Sequence, residues 1–128
     1  MNRALVLIVD PKVETRHWMW RLLNQAFGVL EAPNASLARQ WIAERPDIDA
    51  LIVEDDLPDA RGGDLVREFA NRAHPIAAHS IVVASEWRRV MLAGLTVVER
   101  GDSKTIVDKL TTWFIAREIA RRPSSRPS

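Results

Sequence analysis

Cysteine is absent from the chain. That excludes a disulfide framework, a thiol nucleophile and a thiolate metal site. Tyrosine is absent too, beside five Trp and three Phe. No run approaches the ~18 continuous apolar residues of a membrane span. The N-terminal stretch MNRALVLIVD is too short for a signal segment and ends on an acid, so it reads as a buried strand. The expected compartment is the cytoplasm, with no membrane partner. A strong charge of either sign is also missing. The formal net charge is +1, which excludes a strongly basic nucleic-acid coat. Residues 117–128 nevertheless hold four Arg against one Glu, so the first 116 residues net to −2.

Several enzyme signatures are lacking as well. The turn after the first apolar run, Asp10-Pro11-Lys12-Val13-Glu14-Thr15, has no Gly for a dinucleotide fingerprint. There is no Walker loop and no G-x-S-x-G elbow. An aspartate-nucleophile phosphatase wants a second Asp two residues after Asp10, where Lys12 stands. His17, His74 and His79 are scattered rather than set at zinc-ligand spacing. The chain is expected not to be an enzyme.

What is present is one domain's worth of chain, 128 residues, enough to bury a real core without staples. Ala4–Val9, Phe27–Glu31, Ala50–Val53, Ile81–Ala84 and Leu95–Val98 read as short apolar strands. Helical spacing follows each of them. Val13–Ala26 has apolar residues at 18, 19, 22, 23 and 26. Ala35–Glu44 has Asn34 placed to cap it and Pro46 to close it. Asp64–Ala73 opens at Gly62-Gly63 and ends before Pro75. A short fourth helix is predicted over Glu86–Leu92, and a long last one after Asp102 or Ser103 with apolar positions 106, 110, 113, 114 and 115. Residues 1–122 are expected to form the domain and 123–128 a flexible tail. Alternating β and α elements mean a parallel sheet with helices on both faces, an α/β three-layer αβα architecture.

Ligands of such sheets bind beyond the carboxyl ends of the strands. Asp10 follows the first strand, Glu54 the third, Ser85 the fourth, and Glu99-Arg100-Gly101 the fifth. Acid, acid, hydroxyl and base therefore converge on one sheet end. Strand ends in any such fold meet polar loop residues, so position alone leaves a functional and a structural reading equally open.

Three stretches resemble the receiver domains of bacterial two-component response regulators. They are LVLIVD with the following helix containing Arg16, DALIVEDDLPDARGGDLV, and SIVVAS. The middle one is the most specific, with Pro58 and Gly62 at the family's spacing. The resemblance spans about residues 3–120. It implies a flavodoxin-like, CheY-like fold of five parallel strands in the order 2-1-3-4-5, with a shortened fourth helix. In ordinary receivers an Asp ending the third strand takes a phosphoryl group from a phosphohistidine. Two acids after the first strand help it to hold Mg²⁺, and a hydroxyl and a Lys hold the phosphoryl oxygens.

The chain departs from that pattern. The acceptor position is Glu54, whose extra methylene shifts the carboxylate, and a ~1 Å misplacement can cost ~10²-fold in positioned chemistry. Asp10 keeps the first acid, but Pro11 replaces the second. Ser85 keeps the hydroxyl, and Arg100 replaces the Lys with a wider planar fork. Val97 stands at the switch aromatic's position, and Gly101 replaces the usual Pro. The resemblance thus implies a pseudo-receiver with no cofactor, in which Mg²⁺ binding is weak or lost. Glu54 has two open roles: a partial mimic of phosphoaspartate, or one half of an ion pair with Arg100. Asp55, Asp56 and Asp59 are expected to form a solvated acidic loop, with Asp55 and Asp56 bordering the Asp10–Glu54 pocket.

The implied business is contact with a protein partner: a histidine kinase, another regulator or an output protein. A stand-alone domain would pass its signal by that contact, and a homodimer is a family expectation. Trp87, Val97 and Trp113 are the candidate interaction surface, since Trp is enriched at interface hot spots. Trp18 and Trp20 lie about 200° apart on one helix, so one of them is expected to be exposed. Two further readings stay in view. One is a working regulator phosphorylated by an unusual route. The other is nucleic-acid contact through Arg117, Arg121, Arg122 and Arg126, a small cluster at a helix C-terminus that the helix dipole also favours.

Overall fold

The computed structural model describes residues 3–121, with side chains as far as Ile115. The predicted tail and the arginines from 117 onward fall outside the described side chains. Five strands, β1 (Leu5–Val9), β2 (Gly28–Ala32), β3 (Ala50–Glu54), β4 (Ser80–Ala84) and β5 (Thr96–Glu99), form one sheet. The helices are α1 (Val13–Leu23), α2 (Ala35–Glu44), α3 (Gly62–Asn71) and α4 (Ser103–Arg121). The strand order is β2-β1-β3-β4-β5 and each adjacent pair is parallel. This is the expected three-layer αβα sandwich.

Pleating divides the core in two. Leu7, Val9, Leu51, Val53, Val82 and Ala84 face α2 and α3. Val6, Ile8, Ala50, Ile52, Ile81 and Val98 face α1 and α4. Every residue of β3, the central strand, is buried. That is why its sequence is a continuous apolar run broken only by the terminal acid.

Local chemistry sets most boundaries. The Asn34 side chain accepts from the Leu37 amide at 2.8 Å, capping α2 as predicted. Asp102 caps α4, accepting from the Thr105 amide at 3.2 Å and its hydroxyl at 2.7 Å. α1 ends at Leu23 rather than Ala26, because residues 24–27 turn to deliver Phe27 into the α1/α4 core layer. Only Met19 and Leu23 of α1 are buried. The wider predicted stripe leaves Trp18 and Leu22 in solvent, and Ile115 of α4 points outward as well.

The fourth helix is shortened, as expected, and further than the predicted Glu86–Leu92: a 3-10 turn at Glu86–Arg88 forms, followed by further turns. Between Glu86 and Gly94 only Leu92 is buried, so the segment has no apolar stripe to hold a helix against the sheet. Gly94, at φ +87, closes it in a conformation that favours glycine. A second 3-10 turn forms over Pro75–His79. The His74 ring accepts from the Ile76 amide and starts it.

Candidate functional site

The side-chain period of a strand is two, so alternate residues share a face. Asp10 continues the parity of Val6 and Ile8. Glu54 continues that of Ala50 and Ile52. Ser85 continues that of Ile81, and Arg100 that of Val98. All four predicted residues emerge over the α1/α4 face of one sheet end. Three of them are joined directly. Arg100 Nε donates to Glu54 Oε1 at 2.7 Å and Nη2 to Oε2 at 2.6 Å. Its Nη1 donates to Ser85 Oγ at 2.8 Å. Glu54 Oε2 also accepts from the Asp56 amide at 2.9 Å. The Glu54 carboxylate raises the Arg100 pKa further, mainly through these hydrogen bonds. Half-exposed Arg100 thus bridges a buried acid and a hydroxyl.

Asp10 stands beside this trio. Its Oδ1 accepts from the Lys12 amide at 2.8 Å, and its carbonyl accepts from Arg16 Nη1 at 2.6 Å. Burial pushes the Asp10 carboxyl above its ordinary range, and the Glu54 charge pushes the same way. The Lys12 amide offsets part of that rise.

The acidic loop departs from expectation. Asp55 is buried, and parity sends it to the α2/α3 face, away from Glu54. Arg88 grips it with Nε at 2.6 Å and Nη2 at 3.2 Å. The Gly63 amide donates to it at 3.1 Å, and Arg61 lies 3.5 Å away. Burial alone would raise its pKa, but Arg88, the Gly63 amide and Arg61 outweigh that and hold it low. Asp59 is not a free loop acid either. It accepts from the Ala35 and Ser36 amides at 2.9 Å each, a second cap on α2 from a distant loop. The Ala35 amide is the main cause of its lowered pKa. Asp56 and Asp59 are both exposed, as expected of solvated acids, and Asp56 is bridged through its backbone to Arg61.

The residues present do not fit a Mg²⁺ ion. Both Glu54 oxygens are already shared with a guanidinium, and Pro11 offers no side-chain ligand. Among the described residues no three His, Asp or Glu side chains are placed to hold one metal ion. No helix among them is long and apolar enough to cross a membrane.

The candidate surface residues are spread apart. Trp87 is exposed, with the Arg88 guanidinium 5.9 Å from its ring centroid. Val97 is half-buried against the α2/α3 core layer. Trp113 is half-buried with its ring 5.2 Å from that of His79. Trp18 and Trp20 are both exposed, one more than expected. Sequence reasoning missed Arg88 as the partner of Asp55. The parity of β3 was the available signal that Glu54 and Asp55 part company.

No protein-family model matches the chain, and no curated protein matches it. Solved structures do. The signal receiver domain of an HD domain-containing protein from Pseudomonas fluorescens Pf-5 superposes with a TM-score of 0.77 at 17% identity, covering 91% of this chain and 98% of its own. A CheY-like response regulator receiver domain protein from Methanospirillum hungatei JF-1 gives 0.74 at 20%, covering 93% and 99%. A response regulator receiver protein from Pseudomonas putida gives 0.72 at 22%, covering 88% and 98%. With the strand order and the convergent strand ends, these likenesses show that the chain has the response-regulator receiver fold.

Proposed function

We propose that the protein is a signalling module of the receiver type that works by protein–protein contact without phosphorylation, and that it is not an enzyme. One observation carries this reading: Glu54, Arg100 and Ser85 are engaged with one another. A phosphoryl group would need a free carboxylate nucleophile, a free hydroxyl, a free cation and a metal to neutralise charge. Here the guanidinium has neutralised the acid and tied up the hydroxyl, and Pro11 removes a metal ligand. A carboxylate carries about one charge against nearly two for a phosphate. The trio thus already engages the groups that a phosphoryl group would need. Output then rests on surface residues, with Trp87 the most exposed indole.

The test is incubation with Mg²⁺ and a small-molecule phosphodonor, followed by intact mass spectrometry. The expected result is an unchanged mass. Stoichiometric, base-labile phosphate at Glu54 or Asp55 would overturn the reading. Cross-linking mass spectrometry in native cells should then return a protein partner, with cross-links near Trp87.

A further inference from the structure

We propose that the cleft between α1 and α4 binds a small amphiphilic cation, one with a flat apolar body and a protonated amine or guanidinium at one end. This goes beyond the contact role, because it gives the domain a chemical input. The cleft encloses about 660 Å³ at the carboxyl end of the sheet. That is the range of small-ligand sites, typically about 300–1,000 Å³. Ile8, Trp18, Met19, Ile52, Val83 and Ile106 supply its apolar lining. That lining fits a hydrophobic body. The Trp18 indole, half in solvent, offers a face on which a ring or a cation can lie.

The rim selects the charge. Asp10, Glu14, Glu54, Asp56 and Asp102 border the cleft, against Lys12 and Arg100. Arg100 is spent on Glu54, so four carboxylates face one lysine. Asp10 is the anchor. It is 92% buried, being 8% exposed, and lines the cleft. Lys12 holds only its Oδ1, and no hydrogen bond among the described residues reaches the other oxygen. No fully buried side-chain oxygen lacks a partner among the described residues, so this second oxygen is open to the cleft. A ligand N–H donor can reach it, and exclusion of water around the charged pair strengthens the bond. An anion would meet the acidic rim, and a neutral analogue would leave Asp10 as it is.

The test uses three probes with one skeleton: 2-naphthylmethylamine, 2-naphthylmethanol and 2-naphthoate. Each is titrated to about 10 mM against the ¹⁵N-labelled full chain, a range that captures millimolar Kd values. The expected result is saturable shifts for the amine at the Trp18 indole N–H and at the Ile8 and Ile52 amides. The alcohol should bind about tenfold more weakly, a difference of about 1.4 kcal/mol. The carboxylate should not bind. Asp10→Asn keeps the acceptor for the Lys12 amide, so it should fold and should bring the amine down to the alcohol's affinity. Trp18→Ala, at a half-exposed position, should weaken the amine and the alcohol alike. Equal binding of amine, alcohol and carboxylate would overturn the proposal. So would amine shifts centred on Trp87, amine affinity unchanged in folded Asp10→Asn, or no shift with any probe.

Discussion

Glu54 and Asp55 are neighbours in the chain, and each shares its carboxylate with an arginine through two hydrogen bonds. Their surroundings differ. Asp55 projects into the α2/α3 side, where α3 closes over it, and its partner Arg88 is 13% exposed. Glu54 projects to the α1/α4 side beside an open cleft, and its partner Arg100 is 46% exposed. The same pair of groups is therefore two different devices. A closed pair has no competitor for its hydrogen bonds, so either partner left alone is a stranded charge. An open pair exchanges its contacts with water and is held more weakly. Asp55–Arg88 fixes the short β4–β5 connection to the end of β3. Glu54–Arg100 lies at the carboxyl end of the sheet and borders the cleft.

The sharpest way to break this contrast is Asp55→Ala. It leaves the buried Gly63 amide and the Arg88 guanidinium without their acceptor, and the expected result is a clear loss of stability, larger than that of any change at the Glu54 pair. Urea unfolding measures it. A loss close to that of a surface pair would remove the distinction between the two sites. Gly62→Ala comes next, because it strikes the turn that both acids share. A Cβ at Gly62 would run into the Glu54 carbonyl and come within 3.0 Å of the Asp55 Cα, and both are backbone atoms. Overpacking of that kind costs about 1–3 kcal/mol. NMR shifts should move at Glu54 and Asp55 together. Glu54→Gln is expected to cost only about 1 kcal/mol, since its partner is half in solvent. Partner binding unchanged in Glu54→Gln would mark the pair as structural, and lost binding at retained stability would mark it as a mimic of the phosphorylated state.

The fold and the Glu54 side of this comparison were legible in the sequence for a physical reason. Buried parallel strands are short apolar runs, and the residue that ends each run is placed by the sheet itself. Asp10, Glu54, Ser85 and Arg100 could therefore be named from local pattern alone. The Asp55 side was not legible. Arg88 is 33 residues away in the chain, and its reach to Asp55 depends on how the residues after β4 turn. The same holds for Asp59, which caps α2 from 24 residues downstream. Local spacing also overstated the buried face of α1, which is Met19 and Leu23 alone and leaves Trp18 half in solvent. That exposed indole lines the cleft, so the site's chemistry was readable and its shape was not.

The smallest expected effect separates the two faces by the sign of their pH dependence. Asp55 has a lowered pKa in the folded chain. Its contribution is complete above the ordinary carboxyl value of 3.8 and is lost as pH falls through the lower folded value. Asp10 behaves in the opposite sense. Burial raises its pKa, so at neutral pH its charge is a cost to the fold. That cost is relieved as pH falls through the raised value toward 3.8. Asp10→Asn should therefore melt slightly above the wild type at pH 7, with the gain fading on acidification across that window. Asp55→Ala should melt far below the wild type at pH 7, with the deficit shrinking only below 3.8. Thermal melts of both variants from pH 7 to pH 3 read the two slopes directly. Parallel slopes would mean that the two faces share one electrostatic environment, and the contrast between a closed and an open carboxylate would fail.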